Sequence, residues 1–136
     1  MDTLLEIKKS VEINNSFNEK IILVVDDIQI NYLLIKALMK PTGATVLWVN
    51  NGAKAVDVID SGRKIDLIFM DYNMPEMNGH EATIRIKSKR KELPIISQTS
   101  YTHGPEFDKI KVMYDDILMK PLTSQILFNM LNKHIN

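Results

Sequence analysis

Three acids, two hydroxyls and a lysine stand at the ends of short apolar runs in this chain. IILVVDD finishes on Asp26 and Asp27, DLIFMD on Asp71, PIISQTS on Thr99 and Ser100, and DILMKP reaches Lys120. If these runs are parallel strands of one sheet, their carboxyl ends share a single edge, where open α/β folds bind ligands. Carboxylates crowded together raise one another's pKa and disfavour the ionised state. A site that keeps three of them charged needs a cation. Mg²⁺ suits it, taking one or two carboxylates, keeping waters and accepting phosphate oxygens; Mn²⁺ is the alternative ion. A closed zinc site would want His or Cys, and neither is near these acids in the sequence. A carboxylate can also be the nucleophile that forms an aspartyl phosphate. Phosphoryl transfer is mostly alignment and charge stabilisation, which a lysine, a hydroxyl, backbone N–H groups and a metal supply.

The elements that must position these residues follow from apolar periodicity. Ile21–Val25 is a continuous β-branched run, as expected of a strand buried on both faces. Ile30, Leu33, Leu34, Ala37 and Leu38 recur at helical spacing until Pro41 and Gly43. Thr45–Val49, Leu67–Met70, Pro94–Gln98 and Ile117–Met119 read as four further strands. Between them lie a helix after the turn signal Asn51-Gly52, one from about Gly79, and a short one over Glu106–Met113. Ser124–Lys133 is the last helix. Strands alternating with helices predict an α/β fold with parallel pairing, right-handed crossovers and helices on both faces.

Length and composition narrow the class. The 136 residues allow one domain, and 45% apolar with 25% charged residues matches an ordinary globular chain. No cysteine is present, so disulfides and thiolate metal sites are excluded. Lys+Arg and Asp+Glu both number 17, and a nucleic-acid-binding module would show a basic excess. No apolar run nears membrane-spanning length, so no membrane contact and a cytoplasmic location are expected.

In order, ILVVDD, MDYNMPEMNG, PIISQTS and LMKP resemble the receiver domain of two-component response regulators. Pro75 and Gly79 follow Asp71 at the family's offsets. The match covers residues 20–136, leaving 1–19 as an N-terminal tail or linker, where Thr3 and Glu6 have capping-box spacing. The resemblance implies a flavodoxin-like doubly wound sheet in strand order 2-1-3-4-5. It implies that Asp71 is the phosphoacceptor and that Asp26 and Asp27 organise Mg²⁺. Asp27, Asp71 and the backbone carbonyl of Asn73 would be the direct ligands. Thr99 and Lys120 would contact the phosphoryl group, the Lys120–Pro121 bond would be cis, and Asn73 and Tyr101 would tune its lifetime. The donor would be a histidine kinase or phosphotransfer domain, to a stand-alone receiver or to one within a membrane-anchored hybrid kinase. Such a domain catalyses only its own phosphorylation and dephosphorylation.

Several positions depart from the family's pattern. Ile117 stands where the family usually places the Tyr or Phe of its switch, and Val112-Met113 where Ala-Gly is common. Gly104-Pro105 interrupts a stretch about one residue shorter than usual. A pseudo-receiver acting as an interaction scaffold is therefore the alternative. A phosphatase would want an acid two residues after its nucleophile, and Asn73 occupies that place. Plainer roles compete for single residues: Asp27 as a helix N-cap, Asp115 and Asp116 as turn residues, Trp48 as packing. The Lys87–Lys91 cluster would complement a helix C-terminus, and the scattered His80, His103 and His134 carry no catalytic assignment.

Overall fold

The β-branched run Ile21–Val25 forms strand β1, buried from Ile22 onward. A strand sealed on both faces belongs inside a sheet with a layer on either side. The computed structural model, which describes residues 15–74, 77–100 and 102–136, places it there. β2 (Thr45–Val49) and β3 (Leu67–Asp71) flank β1, and β4 (Ile95–Gln98) and β5 (Asp116–Leu118) follow β3 outward. Every pairing is parallel, and the order is β2-β1-β3-β4-β5. Helices α1 (Gln29–Met39), α2 (Gly52–Asp60), α3 (Gly79–Lys89), α4 (Pro105–Met113) and α5 (Ser124–Ile135) make the connections. The expected doubly wound α/β fold forms.

The pleat divides the sheet's side chains between two cores. Leu23, Val25, Ile68, Met70 and Ile95 pack with residues of α2, α3 and α4, among them Ile59, Ile86 and Ile110. Ile22, Val24, Leu67, Phe69 and Ile96 pack with Ile35 and Met39 of α1 and Leu127 and Leu131 of α5. Each fully buried aliphatic side chain contributes roughly 1.5–3 kcal/mol of transfer free energy. Local chemistry sets the helix starts. Asn51 Oδ1 accepts from Lys54 N at 2.8 Å, Asn78 Oδ1 from Glu81 N at 3.0 Å, and Thr123 Oγ1 from Ile126 N at 3.1 Å. Asn51-Gly52 is thus a cap and first helical residue rather than a separate turn. Gly104-Pro105 opens α4, with Pro105 in its first turn and Gly104 at φ +92°.

Other expectations are corrected by packing. On α1 the spacing holds, yet Ile35 and Met39 reach the core while Ile30, Leu33 and Leu34 are exposed. That helix is apolar around most of its circumference, so periodicity alone could not select the inner face. Ile84 of α3 is likewise exposed. The folded unit reaches back past Lys20. Phe17 is 2% exposed and meets the Phe128 ring edge-on at 5.8 Å, while Asn15 N donates to Pro41 O at 2.7 Å. The Thr3–Glu6 spacing, Pro75 and Tyr101 lie outside the described residues.

Asp115 and Asp116 do more than turn the chain. Asp115 Oδ2 accepts from Lys87 Nζ at 2.6 Å and from Ile95 N at 2.8 Å, which ties α3 to the start of β4. Asp116 opens β5, and its Oδ2 accepts from Lys133 Nζ at 2.8 Å with His134 Nε2 at 2.9 Å. Lys87 therefore serves tertiary tethering, donating also to Leu93 O at 2.6 Å. Loop residues of low propensity become anchors once the fold brings partners to them.

Candidate functional site

Parallel pairing carries the ends of β1, β3, β4 and β5 to one edge. There Asp26, Asp27 and Asp71 come together, each offering a carboxylate oxygen within 4.8 Å of the others. Asp26 is buried, Asp71 is half-buried and Asp27 is exposed. Beside them a cleft of about 180 Å³ is lined by Asp26, Asp71, Asn73, Thr99, Ser100 and Lys120, among others. The structure therefore gathers the acids, hydroxyls and lysine singled out by spacing. The Lys120–Pro121 bond is cis.

Asp26 is held at every polar group. Its N–H donates to Val49 O at 3.2 Å, and its carbonyl accepts from Trp48 Nε1 at 2.8 Å. Oδ1 accepts from Ile28 N at 2.9 Å and Oδ2 from Asn31 Nδ2 at 3.1 Å. The N-cap position of α1 is Ile28, without a side-chain cap, so Asp27 is not the capping residue. Trp48 itself is stacked on Tyr32, centroids 5.5 Å apart and 8° from parallel, with Lys36 Nζ 5.9 Å from the Tyr32 ring. Trp48 thus orients the backbone of the acidic loop as well as packing on β2.

The electrostatics follow from crowding. Burial raises the Asp71 carboxyl, with the charges of Asp26 and Asp27 adding to it, to about 7; the Asn73 N–H acts the other way. Burial also raises Asp26 above the ordinary carboxylate range, against hydrogen bonds from Ile28 and Asn31. Three acids gathered this closely fit a hard divalent cation. Its charge would offset the repulsion, and oxygen donors are what it prefers. Among the described residues Asp26, Asp27 and Asp71 bring carboxylate oxygens close enough together for one, and Asn73 lines the adjoining cleft.

Gly79 lets α3 approach the acceptor strand. A Cβ there would stand 2.3 Å from Asp71 O and 3.0 Å from the Tyr114 hydroxyl. Next to Asp71, the Tyr72 hydroxyl donates to Glu106 Oε2 at 2.5 Å, linking the β3–α3 loop to the first turn of α4. That bond pulls the half-buried Glu106 carboxyl below its usual range. Ile117 lies half-buried in β5, paired in register with Ser97 and packed on the α2–α4 side. Sequence reasoning gave Trp48 only a packing role and passed over the Tyr72–Glu106 link and Gln98, a β4 residue lining the cleft. The polar Gln98 at the end of the strand run PIISQ was the available signal.

The model of the response regulator receiver domain matches residues 22–132. LuxN of Vibrio campbellii, an autoinducer 1 sensor kinase/phosphatase, is 34% identical over 131 residues, covering 96% of this chain and 15% of LuxN. Two-component response regulator 24 of Arabidopsis thaliana is 38% identical over 112 residues, covering 82% of this chain and 81% of that protein. The receiver domain of sensor histidine kinase PA1611 of Pseudomonas aeruginosa, solved with magnesium in its active-site cleft, superposes with a TM-score of 0.78. Its identity is 28%, over 85% of this chain and 97% of that one. TrrA of Thermotoga maritima, solved with Mg²⁺-BeF, gives 0.75 at 29% identity, over 85% of this chain and 99% of that one. This chain belongs to the response regulator receiver domain family.

Proposed function

We propose that this receiver takes a phosphoryl group from a phosphohistidine onto Asp71 in a Mg²⁺-dependent reaction. The observation that carries the reading is the convergence of three acids on a cleft also lined by Thr99 and Lys120. An Asp71 carboxylate oxygen forms the bond to phosphorus as the phosphorus–nitrogen bond breaks. The imidazole leaves with that electron pair, and Asp71 becomes an acyl phosphate. Lys120 and Thr99 donate to the phosphoryl oxygens, stabilising charge that three equatorial oxygens share. Asp26, Asp27, Asp71 and the Asn73 carbonyl would hold Mg²⁺ or Mn²⁺, whose bound charge lets the acids stay ionised. Asn73 and Tyr101, by their positions in the sequence, would tune how long the group survives. The domain catalyses nothing beyond its own loading and unloading.

A histidine kinase or phosphotransfer domain is the donor, on the cytoplasmic side. Its docking surface is the outward face of α1, where Ile30, Leu33 and Leu34 are exposed, with Ile28 beside the cleft. Among the described residues no helix is long and apolar enough to cross a membrane.

The test uses acetyl phosphate with and without Mg²⁺, reading intact mass for the wild type and Asp71→Asn. One phosphoryl is expected on the wild type with metal, and none on the variant. No gain under any condition sinks the reading and leaves an interaction scaffold in its place.

A further inference from the structure

Four buried side-chain polar atoms among the described residues lack a hydrogen-bond partner: Thr83 Oγ1, Ser97 Oγ, Tyr114 Oη and Gln98 Nε2. Only Gln98 among these four residues lines the cleft beside Asp71. It is 9% exposed, and its amide nitrogen is sealed from solvent. An unmet donor of this kind is destabilising, and native proteins keep few of them.

Its direction follows from register. Asp71 and Gln98 are paired across β3 and β4, and Gln98 and Leu118 across β4 and β5. Two pairs earlier, Phe69 faces Ile96, and both belong to the core under α1 and α5. Side chains two residues on return to that same face, so Asp71, Gln98 and Leu118 form one row. Adjacent strands stand ~4.8 Å apart, which puts the Gln98 amide alongside whatever Asp71 carries. The Gln98 carbonyl is occupied, accepting from Tyr72 N at 3.3 Å. The side-chain amide nitrogen has a bond to give. Leu118 in the row and Ile96 on the same face show that an apolar residue is compatible with this surface, so packing does not call for an amide here.

We propose that Gln98 is a phosphoryl-contacting residue, its amide N–H donating to an oxygen of the group carried by Asp71. The inference rests on the phosphoacceptor reading of Asp71. Gln98 adds a neutral donor on the α1–α5 side of the cleft, which loads the site without adding charge beside Lys120. An amide nearly free of water gives a hydrogen bond to a charged oxygen more strength than the same bond in solvent.

Gln98→Leu and the volume-matched Gln98→Met test this. Thermal midpoint is read without ligand, beryllofluoride affinity with Mg²⁺ by calorimetry, and initial uptake from acetyl phosphate by intact mass. The expected result is an unchanged or higher midpoint, with affinity and uptake each lowered about tenfold or more. A lower midpoint in both variants overturns the proposal, because an amide without a protein partner stabilises nothing in the free domain. Equal affinity and uptake overturn it too, leaving an amide with no part in phosphoryl binding. If the leucine variant does not fold, the methionine variant decides. A wild type that neither binds beryllofluoride nor gains a phosphoryl overturns the phosphoacceptor reading, and Gln98 falls with it. A wild type that does both while the variants match it removes Gln98 alone.

Discussion

At the scale of single residues, Asp71 sets a pH dependence whose sign can be worked out. Unfolded, its carboxyl titrates near the ordinary aspartate value of 3.8; folded, burial and the charges of Asp26 and Asp27 raise it to about 7. The folded state therefore binds more protons between those values, and stability falls as pH rises through that window. The contribution is fully present below the unfolded value and gone above about 7. Glu106 and Asp116 have lowered carboxyls, and their contributions are lost only at more acid pH. Between pH 5 and 8 the metal-free protein is thus expected to lose thermal stability, and Asp71→Asn to show a smaller loss. Calorimetric melts at both pH values check this. Added Mg²⁺ is expected to raise the midpoint at pH 8 far more than at pH 5. Equal slopes for wild type and variant would count against a raised Asp71 carboxyl.

At the scale of elements, α1 does two things with one apolar surplus. Its inner residues Ile35 and Met39 close the core, and Asn31 and Tyr32 brace Asp26 directly and through Trp48. Its outer residues Ile30, Leu33 and Leu34 remain in solvent, a patch that favours burial against a partner. Leu34→Glu is therefore expected to slow phosphoryl transfer from a phosphohistidine protein about tenfold or more, by lost apolar burial. Uptake from acetyl phosphate should be unchanged, since that small donor needs no docking surface. Parallel time courses with the two donors separate the effects, and equal slowing with both would refute the docking role of α1.

At the scale of the whole molecule, the N-terminal segment closes the lower end of one core. Phe17 seals the layer between α1 and α5 against Phe128, at the end of the sheet where β1 begins rather than at the acidic edge. Phe17→Ala is expected to destabilise the fold by about 3–5 kcal/mol, as for other buried aromatic truncations. Urea unfolding measures it through a lower midpoint at an unchanged slope. Beryllofluoride binding to the folded fraction should not change, since the ring is remote from the cleft. A loss under 1 kcal/mol would mean the segment is not part of the unit.

Much of this architecture was legible in the sequence because it rests on local periodicity. Ile21–Val25 and Thr45–Val49 could be bounded to the residue, since β-branched runs ended by acids or by Asn-Gly leave little choice. The acids, Thr99 and Lys120 were legible as strand-end residues, and parallel order then placed them on one edge. Residue type and spacing thus determined the class of fold and the chemistry the site can support. Only the tertiary structure decided which side of α1 faces inward, that Phe17 joins the core, and that Asp115 and Asp116 tether distant elements. The same holds for Trp48 clasping Asp26 and for Gln98 lying beside Asp71. Such facts depend on which strands become neighbours, and pairing between segments tens of residues apart leaves no mark in local spacing.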